Sequence, residues 1–127
     1  MLSGKYLPGA APPSGSRAAR KDPRILQTEF RPESLALAQR FAEHAQSRGR
    51  SPTQLALGWV WHNQLVNGLI GGPKTLAQWQ DYLDAVNTPF DADDEAFVSG
   101  LVATGHASTP GYNDPAYPLT GRLPRGA

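Results

Sequence analysis

The sequence predicts an α/β fold that is mostly helical over this chain and contains one short strand. Apolar residues recur at helical spacing in four segments, and each segment begins at a residue that favours a helix N-terminus. A short apolar run, residues 68–71, leads through a glycine turn into the third of these helices. A strand, a turn and a helix in that order are typical of α/β proteins.

The first two predicted helices occupy the middle of the chain. Pro32 suits a first helical position, and apolar residues at helical spacing continue to about Arg48. Ser51 and Gln54 stand at the spacing of a capping box, in which each side chain bonds the other's backbone N–H, so a second helix should begin there. Its body, residues 55–61, is apolar nearly all round and is expected to be buried on two sides.

Two further helices follow the predicted strand. Thr75 is expected to cap the third helix and Asp91 the fourth. The third helix carries one apolar face, which consists of Leu76, Trp79, Leu83 and Val86. Because no other strand is predicted, the backbone N–H and C=O groups of residues 68–71 need a partner if they are buried.

The start of the third helix has the outline of a phosphate site. First-turn N–H groups have no intrahelical partner and lie at the positive end of the helix dipole, and the ammonium group of Lys74 stands beside them. Thr75 and Gln78 have the spacing of a second capping box. An alternative stays open, in which Lys74 is only a solvated lysine, since a glycine turn and a capped helix occur in many α/β proteins.

Composition sets limits on function. The chain has 12 Lys and Arg against 11 Asp and Glu, a net charge of +1, which argues against nucleic acid or an anionic membrane as a partner. The absence of cysteine excludes a disulfide scaffold and a thiolate zinc site. No apolar run approaches the roughly 20 residues that span a bilayer, so the expected location is the cytoplasm.

The chain is expected to have three parts. Residues 1–30 are rich in Gly, Pro, Ser and Ala and indicate a basic mobile loop, residues 31–105 hold the predicted helices and strand, and residues 106–127 indicate a C-terminal coil tail. Residues 1–31 contain six basic and two acidic side chains, a net charge of +4, and are therefore the anion-attracting end. A solubilising linker would have the same composition.

No catalytic or metal site can be assembled from these residues alone. His44, His62 and His106 are scattered along the chain, without i, i+4 pairing or a nearby carboxylate, and are expected to be surface or capping residues. Tyr112 and Tyr117 lie in a Pro-rich tail with no lysine or histidine held near them. The residues themselves therefore predict binding rather than chemistry.

Four motifs occur in one order along the chain. They are Gly-Lys-Tyr at residues 4–6, Ser-Pro-Thr-Gln-Leu-Ala-Leu-Gly-Trp-Val at 51–60, Ile-Gly-Gly-Pro-Lys-Thr at 70–75 followed by Gln78 and Asp81, and Thr-Pro-Gly-Tyr-Asn-Asp-Pro at 109–115. Together they resemble the C-terminal part of the aldo/keto reductases. The resemblance runs from about residue 2 to about residue 122, and the order of several motifs is more specific than any one of them.

The resemblance implies that this chain is the C-terminal portion of a (β/α)8 TIM barrel that uses NADP(H) to reduce aldehydes and ketones. Such barrels typically have about 250 residues. The catalytic Asp, Tyr, Lys and His of the family come from earlier strands and so have no counterpart here. Without those strands, the chain is expected to expose apolar helix faces.

The resemblance also carries the family's cofactor contacts to particular residues of this chain: Lys5, Arg17, Gly72, Lys74, Thr75, Gln78, Asp81 and Tyr82. The first two would approach the cofactor phosphates, and Lys74 with Thr75 would receive the 2′-phosphate. The last three would face the adenosine end. The family usually has Asn where this chain has Tyr82, whose aromatic ring could stack there instead.

Two functions stay open on this reading. The chain is either a piece of an NADP-dependent reductase, completed by the missing N-terminal barrel portion or by self-association, or a noncatalytic helical module that binds a partner through its apolar surface. Residues 1–6 resemble an internal stretch of the family, so the chain is expected to derive from a truncated or split reductase.

Overall fold

The computed structural model describes residues 1–102, 108 and 122–126. These residues contain five helices: α1 (Pro23–Thr28), α2 (Pro32–Ser47), α3 (Pro52–Trp61), α4 (Leu76–Val86) and α5 (Ala92–Leu101). Helix α3 packs against both α2 and α4. None of the helices in this part of the chain has the length and apolar character needed to cross a membrane.

The predicted helices are confirmed, together with the signals that begin and end them. Helix α2 begins at Pro32, and Gly49 just beyond it has a φ of +68°, which glycine adopts without strain. Ser51 and Gln54 form the predicted capping box of α3, with N–H to side-chain oxygen distances of 3.0 and 2.9 Å. Asp91 caps α5 as expected.

Helix α1 is not predicted by the sequence and lies within residues 1–30. Asp22 starts it, because its Oδ1 accepts a hydrogen bond from the N–H of Arg24 at 3.0 Å and Pro23 occupies the first helical position. Six residues are too few to show a helical period, and the surrounding Gly and Pro residues hide the signal. Ile25 of α1 is buried, so α1 contributes to the core.

The core consists of two clusters of buried side chains. The first joins the N-terminal segment to α1 and α2, and its members are Tyr6, Ala18, Ile25 and Leu35. The second joins α2 to α3, and its members are Phe41, Ala45 and Leu55. Phe90, Val98 and Leu101 pack against this second cluster, so apolar contact also holds α5 to the same two helices.

The buried carboxylate of Asp94 links α5 to α2 and to the turn between α2 and α3. Asp94 has no exposed surface, and its Oδ1 accepts hydrogen bonds from His44 Nε2 at 2.8 Å and Arg50 Nη2 at 2.5 Å. Arg48 Nε lies 3.3 Å from the same oxygen. Burial alone would raise the pKa of Asp94, but the hydrogen bonds from Arg50, His44 and the N–H of Asp91 outweigh it and hold the pKa well below its usual range.

Helix α4 leaves its predicted apolar face in solvent. Ala85 is the buried residue of α4, whereas Leu76 and Val86 are 81% and 70% exposed. Trp79 and Leu83 are also exposed. The apolar stripe therefore forms as the sequence predicts, and no part of the described chain covers it.

The structure does not confirm the strand predicted at residues 68–71. These residues are irregular and exposed, and the side chain of Ile70 is fully open to solvent. A strand needs neighbouring strands to pair with, and the described residues offer none. The one strand-like pairing in the described ranges is an isolated antiparallel bridge between Asn63 and Pro124.

Residues 122–126 lie against the end of α3. Arg122 makes a bidentate pair with Glu95 at 2.6 and 2.5 Å, and its guanidinium carbon lies 4.1 Å from the centroid of the Trp59 ring. The N–H of Arg125 donates to the carbonyl of His62 at 2.8 Å. Several predictions fall outside the described residues, namely those for His106, Tyr112, Tyr117 and the motif at residues 109–115.

We expect Asp94→Ala to lower the free energy of unfolding by about 3–5 kcal/mol, because it leaves the partly buried Arg50 and His44 without their charged partner. Urea denaturation followed by circular dichroism near pH 7 measures this loss. Asp93→Ala is the matched control, since the neighbouring Asp93 side chain is 86% exposed and its loss should cost less than about 0.5 kcal/mol.

The contribution of Asp94 to the free energy of unfolding should depend on pH. The pKa of Asp94 is lower in the folded chain than its value of about 3.9 in an unfolded chain, so its stabilisation is complete above about pH 4 and fades as the pH falls below that. The stability difference between the parent and Asp94→Ala should therefore shrink between pH 7 and pH 3. Equal costs for the Asp93 and Asp94 variants would contradict this account.

Candidate functional site

The N-terminus of α4 is an exposed helix end with a basic residue beside it. Thr75 has an extended backbone, and its Oγ1 accepts a hydrogen bond from the N–H of Gln78 at 3.2 Å, which makes Thr75 the N-cap as predicted. Lys74 and Thr75 are both exposed. An anion at this position can meet the Lys74 ammonium, the Thr75 hydroxyl and the first-turn N–H groups of α4.

The side chain of Gln78 does not make the hydrogen bond that the predicted capping box requires. Its Oε1 accepts from the N–H of Lys74 at 2.7 Å, and not from the N–H of Thr75 as a capping box requires. The Gln78 side chain therefore stabilises the turn at Lys74, one residue before the Thr75 cap. Because the Lys74 N–H is used in this way, the side chain of Lys74 is the part left to contact an anion.

The ring of Tyr82 lies against the glycine turn that precedes α4. A Cβ placed on Gly71 would come within 2.6 Å of Tyr82 Cε2 and 2.9 Å of Cδ2, which is closer than a side chain tolerates. Gly71 is therefore the residue that lets the ring pack here, whereas Gly72 has open space around it. This contact occupies one edge of the half-buried Tyr82 ring.

The start of α3 contacts both groups of predicted cofactor residues. On one side, Oδ1 of Asp81 accepts a hydrogen bond from Ser51 Oγ at 2.8 Å. On the other side, Gly4, with a φ of +74°, lies so close that an added Cβ would be 3.1 Å from Pro52 Cγ. Lys5 follows Gly4 directly, so α3 supports the segment that carries Lys5 as well as the helix that carries Asp81.

The two basic residues of the N-terminal segment have different surroundings. Lys5 is exposed, and its Nζ lies 5.2 Å from the ring centroid of buried Tyr6. Arg17 Nε donates to Asp22 at 3.0 Å, and this hydrogen bond lowers the pKa of Asp22. Since Asp22 also caps α1, Arg17 has a structural partner and would have to leave it to meet a phosphate.

The prediction that His44 has no carboxylate nearby is wrong. Its partner, Asp94, is 50 positions away in the sequence and is brought to it by the fold. The His44 ring also stacks on Phe97, with centroids 3.9 Å apart. Because Asp94 binds Arg50 as well, the His44–Asp94 pair links α2 to α5, and the described residues contain no group of three metal-binding side chains.

A cavity of about 420 Å³ lies among α2, α3 and α5. Its lining is mostly apolar and includes Leu37, Phe41, Trp59, Val98 and Leu101. The indole N–H of Trp59 is buried and has no hydrogen-bond partner within the described residues. None of the predicted cofactor residues lines this cavity, and Lys74 and Thr75 lie instead on the exposed surface at the start of α4.

Comparison with known proteins relates this chain to one family of enzymes. The model of the aldo/keto reductase family matches residues 1–102. Two relatives, the L-glyceraldehyde 3-phosphate reductases of Escherichia coli O157:H7 and of Escherichia coli strain K12, are each 31% identical to this chain over 112 residues. The matched region covers 83% of this chain and 31% of each relative, so the chain spans about a third of their length.

The family match runs from the N-terminal segment through α5 and includes every residue of the candidate site. The family's fold is a TIM barrel, and a mostly helical chain without a sheet in its described residues is consistent with one part of such a barrel. On this evidence the chain belongs to the aldo/keto reductase family, whose members are oxidoreductases that use a nicotinamide cofactor.

Proposed function

We propose that this chain forms the part of an aldo/keto reductase that holds the phosphate and adenosine end of NADP(H), and that the catalytic residues of the enzyme lie outside it. The exposed N-terminus of α4, with Lys74 beside it, is the observation that carries the proposal. A helix start with an adjacent ammonium group favours a phosphate dianion. That preference supports NADP(H) over NAD(H), which lacks the 2′-phosphate.

The groups at this helix start fit a phosphate. Thr75 Oγ1 already accepts from Gln78 N–H, so its own proton can be donated to a phosphate oxygen. Lys74 is exposed and can reach the same anion. Bound NADPH would supply the hydride, while the residues of this chain bind and orient the far end of the molecule.

The N-terminal segment supplies the second set of contacts in this proposal. Lys5 is exposed and has no ion pair with an acid among the described residues, so it can approach the cofactor pyrophosphate without breaking one. Arg17 would exchange its bond to Asp22 for a bond to phosphate. Gln78, Asp81 and Tyr82 would line the adenosine end.

We further propose that the N-terminal barrel portion, or a second copy of the chain, covers the apolar face of α4. The exposure of Leu76 and Val86 supports this, since a helix in a barrel packs its apolar face on the sheet. Residues 68–71 would then pair with neighbouring strands. The fully exposed side chain of Ile70 would become buried in the process.

The same apolar face favours a second candidate function, a noncatalytic module that binds another protein. Trp79 and Leu83 lie exposed on this face next to Leu76 and Val86, and apolar patches of this kind mark interaction sites. The two functions differ in the partner that covers the face. A piece of a reductase is expected to bind the N-terminal part of a related reductase. Gel filtration of the mixture detects that complex.

We expect the isolated chain to show no carbonyl reductase activity. The catalytic acid is proposed to lie outside this chain, and loss of a positioned acid alone typically lowers the rate by a factor of about 10² to 10⁴. Oxidation of NADPH with a panel of small aldehydes, measured against an intact related reductase, tests this. Turnover at ordinary reductase rates would contradict the proposal.

We expect Lys74→Ala to weaken NADPH binding more than NADH binding, by about tenfold to a hundredfold, because a charge-assisted contact to the 2′-phosphate is lost. Fluorescence titration at fixed salt measures both cofactors in a fusion of this chain to the N-terminal part of a related reductase. Arg20→Ala, which removes one exposed positive charge elsewhere, is the matched control. Equal losses of affinity for NADPH and NADH would show that Lys74 does not contact the 2′-phosphate.

A further inference from the structure

A side-chain hydrogen bond joins the start of α3 to α4. Ser51 Oγ and Asp81 Oδ1 are 2.8 Å apart, and both side chains are partly buried. The bond links two residues 30 positions apart, one of which is a predicted cofactor contact. Through this bond the α2–α3 turn contacts the candidate site.

The chemistry of the two groups fixes the direction of this bond. Ser51 Oγ already accepts from the N–H of Gln54 at 3.0 Å, which is the capping bond of α3. An ionised carboxylate can only accept, so the hydroxyl proton of Ser51 points to Asp81. One hydroxyl group thus caps α3 and restrains Asp81 at the same time.

The restraint bears on the proposed adenosine contact. Asp81 lies three residues after Gln78 and so on the same side of α4, which begins at the Thr75 cap. The bond to Ser51 uses Oδ1 and sets the orientation in which the second oxygen is presented. A ribose hydroxyl or the exocyclic amino group of adenine carries the donor that a carboxylate oxygen accepts.

We infer that Ser51 is a positioning residue for the cofactor site, which holds Asp81 in one orientation for a donor group on the adenosine end of the ligand. This inference rests on the proposed function. The position of Ser51 is itself secure, because Gly4 packs against the adjacent Pro52 and Arg50 binds buried Asp94. A carboxylate that is ordered before binding loses less conformational entropy when the ligand arrives.

Two substitutions separate positioning from helix capping. Ser51→Gly removes the hydroxyl, and glycine is nearly as good an N-cap as serine, so α3 should stay intact. Ser51→Thr keeps a hydroxyl that can cap and donate. Thermal unfolding of both variants checks that α3 is preserved.

The full chain is studied by NMR in two measurements. The three-bond couplings between the α and β protons of Asp81 report its side-chain rotamer without any ligand. Titration with adenosine 2′,5′-bisphosphate, followed through the backbone amides of residues 74–82, gives the affinity for the phosphate and adenosine end.

For the parent and Ser51→Thr we expect one dominant Asp81 rotamer and equal affinities. For Ser51→Gly we expect averaged couplings and an affinity about two- to tenfold lower. Equal binding by the parent and Ser51→Gly would overturn the inference and leave the proposed function in place. No binding of the bisphosphate by the parent, either alone or fused to the N-terminal part of a related reductase, would overturn both.

Discussion

The arrangement of helices depends on Asp94, a carboxylate without exposed surface whose charge has to be met by hydrogen bonds inside the fold. Its donors come from α2, through His44, and from the α2–α3 turn, through Arg50. Helix α5 therefore cannot shift relative to α2 without leaving a buried charge unpaired. The same turn leads directly into Ser51, whose hydroxyl binds Asp81 of α4. Two neighbouring residues, Arg50 and Ser51, thus bind the buried carboxylate and the candidate site respectively.

The helices differ in how many of their apolar side chains are buried. Two clusters of buried side chains secure α1, α2, α3 and α5, whereas α4 buries Ala85 and turns its larger apolar residues to solvent. The helix that carries most of the candidate site is therefore the one whose larger apolar residues the described chain leaves exposed. In a TIM barrel, the fold of the aldo/keto reductase family, the helices cover a sheet, and the exposed apolar face of α4 is consistent with one part of such a barrel.

Local signals in the sequence predict the local structure well, and contacts between distant residues escape them. The caps at Ser51, Thr75 and Asp91 follow from spacing within one helical turn, and the structure has all three. The pairing of His44 with Asp94 depends on how α2 meets α5, so nothing near either residue reveals it. The strand predicted at residues 68–71 is not formed, because the described residues offer no strand for it to pair with. For the candidate site, the sequence identifies an exposed Lys74 beside a capped helix, but it does not show that Arg17 binds Asp22 or that Gln78 braces Lys74.

We propose that this chain is one part of a barrel and completes a cofactor site when the other part is present. Hydrogen exchange measured by mass spectrometry, on the chain alone and mixed with the N-terminal part of a related reductase, tests it most directly. The account predicts a complex in which residues 68–71 and helix α4 gain protection, because the strand pairs and the face with Leu76 and Val86 becomes covered. Unchanged exchange in both segments, with no complex formed, would contradict it.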